Sequence, residues 1–147
     1  MPDYAGAEAA IRARLVANWT VTPISFMNEQ EPVKVDAQQK TKPWVALEII
    51  CTGSEIVGFG TPGQQTIRYE GLINLHVVVP LNTSDTIATQ HAIALGEIFR
   101  NDFFYNGTPG YYVRSLSPRI SAGVGGSEDG LWFRKTCIVP FEYWHRG

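Results

Sequence analysis

The sequence is poor in residues that carry chemistry. Its 147 residues include two cysteines, three histidines and two methionines. Cys51 and Cys137 both fall inside strand patterns and read as buried free thiols. A disulfide would need an oxidising compartment, and nothing in the sequence points to one. None of His76, His91 and His145 lies at ligand spacing from another histidine or a cysteine, which argues against zinc. No serine sits in a G-x-S-x-G elbow. Charged residues make up 18% and the formal net charge is −2, a balance unsuited to a non-specific grip on nucleic acid. No apolar run approaches the ~20 residues needed to cross a membrane. The alanine-rich start is interrupted at helical spacing by Glu8, Arg12 and Arg14, unlike a signal peptide. The N-x-S/T sequons at Asn18, Asn82 and Asn106 would matter only in a secreted chain. No internal repeat is visible.

Two glycine-rich stretches invite a ligand reading and do not sustain it. GFGTPG at Gly58–Gly63 lacks the Lys-Ser/Thr of a phosphate loop and precedes a strand, so it reads as a hairpin tip. GVGGSEDG at Gly123–Gly130 offers Glu128 and Asp129, too few carboxylates for calcium. The residue patterns therefore point to no catalytic group, no cofactor and no metal. His91 falls in the apolar arc of a helix, where a neutral core histidine is expected. His76 and Glu48 fall near each other across two strands, which suits a surface pair better than a general base.

What is present is pattern. At 147 residues and 44% apolar, the chain reads as one domain, 1–147. It is organised around Thr66–Asn101. Ile67, Tyr69, Ile73, Leu75, Val77 and Val79 form one face of a long strand, with Gly71 in the gap, and Pro80 ends it. Asn82, Thr83 and Ser84 offer caps for a helix over 84–100, whose apolar arc is Ile87, Ala88, Ala92, Leu95, Ile98 and Phe99. Ahead of that strand, Asp3 can cap a helix over 3–19 with the stripe Tyr4, Ala7, Ile11, Leu15 and Trp19. Glu8 and Arg12 form an i,i+4 pair on its exposed side. Residues 24–27 read as a short strand and Asn28–Lys42 as a mobile loop. The strand from Trp44 folds back on that from Thr66, pairing Val45 with Val77, Leu47 with Leu75, Ile49 with Ile73 and Cys51 with Gly71.

After the second helix, DFFYNGTPG reads as a turn-rich break. Tyr111–Ile120 reads as a strand tolerating Pro118 at a sheet edge, and Ser121–Gly130 as a hairpin loop closing on Asp129-Gly130. Leu131–His145 is the last strand, with Phe133, Cys137, Val139, Phe141 and Tyr143 on one face and Pro140 bending or ending it. The sum is an α+β fold: a mostly antiparallel sheet of about five strands with two helices on one face. Two features point to protein contacts. Ile93 sits among polar residues on the outer side of the second helix. The long hairpin, with Ile56, Val57 and Phe59 in its distal part Gly53–Arg68, is expected to protrude and touch a neighbour.

Several segments, in order, also resemble a known family. They are YAGAEAAIRARLVANWTVTPISFMNE at Tyr4–Glu29, PWVALEI from Pro43, IRYEGLINLHVVVP from Ile67, and the helix AIALGEIF. Together they resemble the tail terminator proteins of long-tailed bacteriophages and of phage-derived gene transfer particles. The likeness runs from about Tyr4 to Phe141 and departs in Asn28–Lys42 and at Tyr143-Trp144. It implies a virion structural subunit, assembled in the host cytoplasm, that forms a homohexameric ring on the finished tail tube. The ring stops polymerisation and meets the head-completion or neck proteins. Genome DNA passes through its lumen without sequence-specific binding. The implied partners are itself, the tail tube protein and the neck proteins, with no membrane and no enzymatic activity. Subunit contacts are then expected at Ile56, Val57, Phe59, Gln64, Ile93, Glu128 and Asp129. Another neck or head–tail joining protein stays open as an alternative. So does a small α+β ligand-binding protein or enzyme using His76 and Glu48 in a cleft.

Overall fold

A computed structural model of the chain describes residues 2–82, 85–127 and 132–147. The first helix, α1, spans Tyr4–Asn18, and Asp3 caps it by accepting from the Gly6 amide at 2.7 Å. Its stripe is buried as the periodicity requires: Ala7, Ile11 and Leu15 are wholly covered and Trp19 nearly so. The expected Glu8–Arg12 pair gives way to a longer one. Arg12 turns to Glu29 and lies over the Phe26 ring, because the next strand brings both within reach.

That strand, β1, is Ile24–Phe26, and it pairs in parallel with β2, Trp44–Ile56. Between them, Asn28–Lys42 is more ordered than a mobile loop. Asp36 Oδ1 accepts from the amides of Gln38 and Lys40, both at 2.9 Å, and Val35 bridges Thr41. Lys34 Nζ rests 4.0 Å from the centroid of Trp44. The loop thus roofs a small cluster of Trp44, Val78 and Trp132 on the sheet face away from the helices.

Strand β3, Thr66–Pro80, pairs with β2 in the register that its apolar faces demand: Val45 to Val77, Leu47 to Leu75, Ile49 to Ile73 and Cys51 to Gly71. A bulge between Cys51 and Gly53 then increases the local twist. Helix α2 spans Asp85–Phe99. Short strands β4 (Phe103–Phe104), β5 (Tyr112–Ser115), β6 (Arg119–Ile120) and β7 (Val124–Ser127) follow, and β8 is Trp132–Arg146. The described residues therefore hold eight strands in one sheet, against the about five that the pattern suggests. The additional ones are pieces of two to four residues, too short to show a period.

The sheet order is β1-β2-β3-β8-β5-β4, with β6 and β7 also on β8. Among the described residues only the β1–β2 pair is parallel. Pro140 neither ends nor breaks β8, which pairs with β3 from Trp132 to Arg146. The Pro140 carbonyl accepts from Leu116 N at 2.9 Å. A residue's carbonyl and amide leave an extended strand on the same edge, so the donor that proline lacks faces the interruption between β5 and β6 rather than β3.

Both helices pack on one face, over Val45, Leu47, Ile73, Leu75, Cys137 and Val139. Gly96 lets α2 come close: a Cβ there would stand 3.0 Å from Pro118 and 3.3 Å from the Cys137 sulfur. Buried Ser115 donates to the Phe99 carbonyl, satisfying one of the free carbonyls at the end of α2. Cys137 is buried, and its thiol pKa is pushed up to about 11. Cys51 is exposed instead of buried; it lies at the rim of the helix layer, beside Tyr4 in the first turn of α1.

Candidate functional site

The β2–β3 hairpin leaves the body as an arm. Strand β1 pairs only with Val45–Leu47, so from Glu48 onward the outer edge of β2 has no strand beside it among the described residues. Past the bulge the first turn of α1 still reaches the sheet, where Tyr4 stacks on Tyr69 at 5.4 Å, and the hairpin beyond that row is largely exposed. Ile56, Val57 and Gln64 are exposed and Phe59 is fully so. The free part is shorter than the Gly53–Arg68 span expected from composition. Strand β8 runs beside β3 as far as Thr66, and the Gly147 amide donates to the Gln65 carbonyl at 2.9 Å. Residues 57–64 are what projects.

The sheet face turned away from the helices is the second surface. Ile50, Leu72 and Pro140 are register partners in one row, and Ile138 adds to it from the row of Glu48 and Asn74. Below them lies a ladder of planar groups. Arg68 is held between Glu55 and Glu70 and sits 5.9 Å from the Trp144 ring. Trp144 stacks on Tyr112 at 5.6 Å, and Tyr112 packs on Phe103 at 4.9 Å. Burial and the nearby Glu142 carboxylate push the Tyr112 hydroxyl pKa up. The sequence shows these residues as the alternate positions of its strands; that no third layer covers them among the described residues is a tertiary fact.

A groove opens where β1 and the segment after it overhang this face. Phe26, Glu29 and Glu31 form one wall and Glu48, His76 and Arg134 the other. His76 is bonded through both nitrogens, to Glu48 Oε1 at 3.1 Å and Thr136 Oγ1 at 2.8 Å. Asn74 donates to the same carboxylate oxygen at 3.1 Å. The hydrogen bonds from Asn74 and then His76 hold Glu48 below the usual carboxylate range. A carboxylate so stabilised is a weak base at neutral pH, and the imidazole has no nitrogen left for a substrate. The arrangement suits holding a hydrogen-bonding or cationic group better than moving a proton.

His91 is half-buried, with its ring edge-on to Trp19 at 5.7 Å, and burial lowers its pKa. That agrees with a neutral histidine packed among core residues. Ile93 is half-exposed on the outer side of α2, where it borders a shallow apolar dent with Ile120 and Pro118. It is on the opposite flank of the sheet from the arm, so the structure does not gather the expected contact residues into one patch. Glu128 and Asp129 lie outside the described residues. Ile50, Leu72, Ile138 and Ile120 escaped sequence reasoning because an apolar residue in a strand carries no mark of which face is left open.

No family model and no curated protein matches the chain. A solved structure is similar over 97% of this chain and 96% of that one, with a TM-score of 0.68 at 15% identity. At that identity the likeness shows a shared fold alone.

Proposed function

We propose that this chain is a structural virion protein that forms a ring, in the likeness of a hexamer, on the end of a phage-type tail tube. The ring stops tube growth and provides the joint to the neck. The observation that carries the reading is the arm: Phe59, fully exposed, and Ile56 and Val57, 59% and 39% exposed, project from a folded body. Apolar groups on a projecting hairpin need a partner surface, and the free edge of β2 can lend it backbone hydrogen bonds. The segments that carry the resemblance to tail terminators supply α1, β1, β2, β3 and α2, the frame from which the arm extends. Mechanism on this reading is geometric. One face of the ring matches the tube end, and the other lacks the tube's polymerising surface. Closed symmetry is the usual outcome for identical subunits with complementary flanks.

The test is to add the tagged protein to growing tail tubes and image them. Capped tubes with a ring at one end support the reading. Label on heads but never on free tails favours a head–tail joining protein. A strict monomer in sedimentation, alone and with tubes, overturns the ring. The groove at Glu48 and His76 supports a second reading, a small-ligand site. A folded His76→Gln variant that still binds tails but fails to complete them would favour it.

A further inference from the structure

The segment 30–42, between β1 and β2, is bonded to itself and hardly to the rest of the molecule. Among the described residues its hydrogen bonds and ion pairs are all internal. Lys34 pairs with Glu31, Asp36 binds the turn that returns at Lys40, and the Lys42 amide donates to the Lys34 carbonyl at 3.0 Å. Its ends are fixed: Arg12 donates to both carboxylate oxygens of Glu29, and Trp44 begins β2. Between these anchors one polar contact ties it to the sheet, Lys34 Nζ over the Trp44 ring at 4.0 Å.

Beneath that contact Trp44 is 3% exposed, and its indole Nε1 has no hydrogen-bond partner. Trp132 stands perpendicular to it at 6.2 Å, and an N–H against a ring is at best a weak bond. A buried donor left unpaired is costly. The partly buried apolar side chain packed on the Trp44 cluster is Ala46, which comes from the sheet rather than from the segment.

We propose that residues 30–42 are a flap that lifts from Trp44 while the sheet stays folded, freeing the indole N–H to meet water or a hydrogen-bond acceptor. What closes the flap is one cation–ring contact at the surface, and what closing leaves behind is an unpaired donor. The flap's own bonds survive the motion, since none of them crosses to the body. The same motion reshapes the groove at Glu48 and His76. Glu31 of the flap forms part of one wall, and Ala46 lies both in that groove and against the Trp44 cluster. With the flap lifted, the groove runs on to Trp44. The flap is independent of the ring and of what the groove holds.

The test is native-state hydrogen exchange followed by NMR, with the Leu75 amide of central strand β3 as the reference. The Trp44 indole N–H should be protected about 100-fold less than Leu75, at a rate that low urea does not change. Lys34→Ala should speed the indole about fivefold, leaving Leu75 and the Tm as they were. An indole that shares the protection and urea dependence of Leu75 overturns the flap, because Trp44 is then reached only when the sheet unfolds. An indole indifferent to Lys34→Ala overturns it as well, because water then arrives by a route the flap does not close.

Discussion

Gly71→Ala tests whether the arm leaves the body where the structure says it does. Gly71 is buried in β3, opposite Cys51 on one side and Phe141 on the other. A Cβ there would stand 2.3 Å from the Ile50 carbonyl oxygen and 2.7 Å from Phe141 Cε1. Ordinary contact begins near 3.4 Å, so the carbonyl would have to withdraw by about 1 Å from a ladder that holds it. Overpacking of this kind costs ~1–3 kcal/mol, and the upper end applies because the nearer obstacle is backbone. Replacing glycine recovers about 0.5–1 kcal/mol of chain entropy. The net is a loss of about 2 kcal/mol, or roughly 4–8 °C in Tm for a domain near 150 residues. Thermal and urea unfolding followed by circular dichroism should show a lower midpoint with an unchanged m-value. The control is Gly53→Ala, across the bulge, where a Cβ meets nothing within 4 Å. That variant should be neutral or slightly more stable. An unchanged Tm in Gly71→Ala would refute the close approach of Ile50 and the bulge geometry built on it.

Replacing Ile56–Gln64 by an Asn-Gly turn should cost less than about 1 kcal/mol, since the residues removed bury little, and should abolish ring or tail assembly. Analytical ultracentrifugation and imaging of tails check this; a shortened protein that still caps tails would sink the arm's role. His91 should make folding pH-dependent. Burial lowers its folded pKa, so the unfolded chain binds the proton first as pH falls. Stability is then full above about 6.5, the unfolded value, and is lost as pH drops toward the lowered folded one. His91→Gln should flatten that slope in urea titrations between pH 7.5 and 5. Arg14 donates to the Ile98 carbonyl at 2.8 Å and pairs with Asp102, tying α1 to the end of α2. Arg14→Ala should cost about 1–2 kcal/mol in the same assay, with assembly retained once the variant is folded.

Much of this fold was legible in the chain because burial leaves a period. The β2–β3 register follows from apolar residues at every second position, since a slip of one would turn that face outward. The Asp3 cap and the α1 stripe follow from side-chain chemistry local to a few residues. Strands β4 and β7 were not legible, nor was the break that splits the expected Tyr111–Ile120 strand into β5 and β6: pieces of two to four residues form no period, and they are strands only because β5 and β8 offer edges to pair with. Pro140 misled for the same reason. Its missing donor matters only if a neighbour needs it, and that neighbour, the interruption at 116–118, is chosen by the sheet.

The candidate surfaces divide along the same line. That Ile56, Val57 and Phe59 lie in a hairpin without a core of their own is local information, carried by glycines and apolar residues mixed in one stretch. How far the arm projects depended on where β8 stops beside β3, and that Arg12 would leave Glu8 for Glu29 depended on β1 arriving beside α1. By itself the sequence determined the long elements, the central register and the face the helices cover, because each rests on contacts short in sequence or on strict alternation. Only the tertiary structure decided which strand edge stays free, which face stays open and how much of the arm projects. Those depend on the order in which distant strands pair, and pairing order is set by packing over the whole sheet rather than by any single segment.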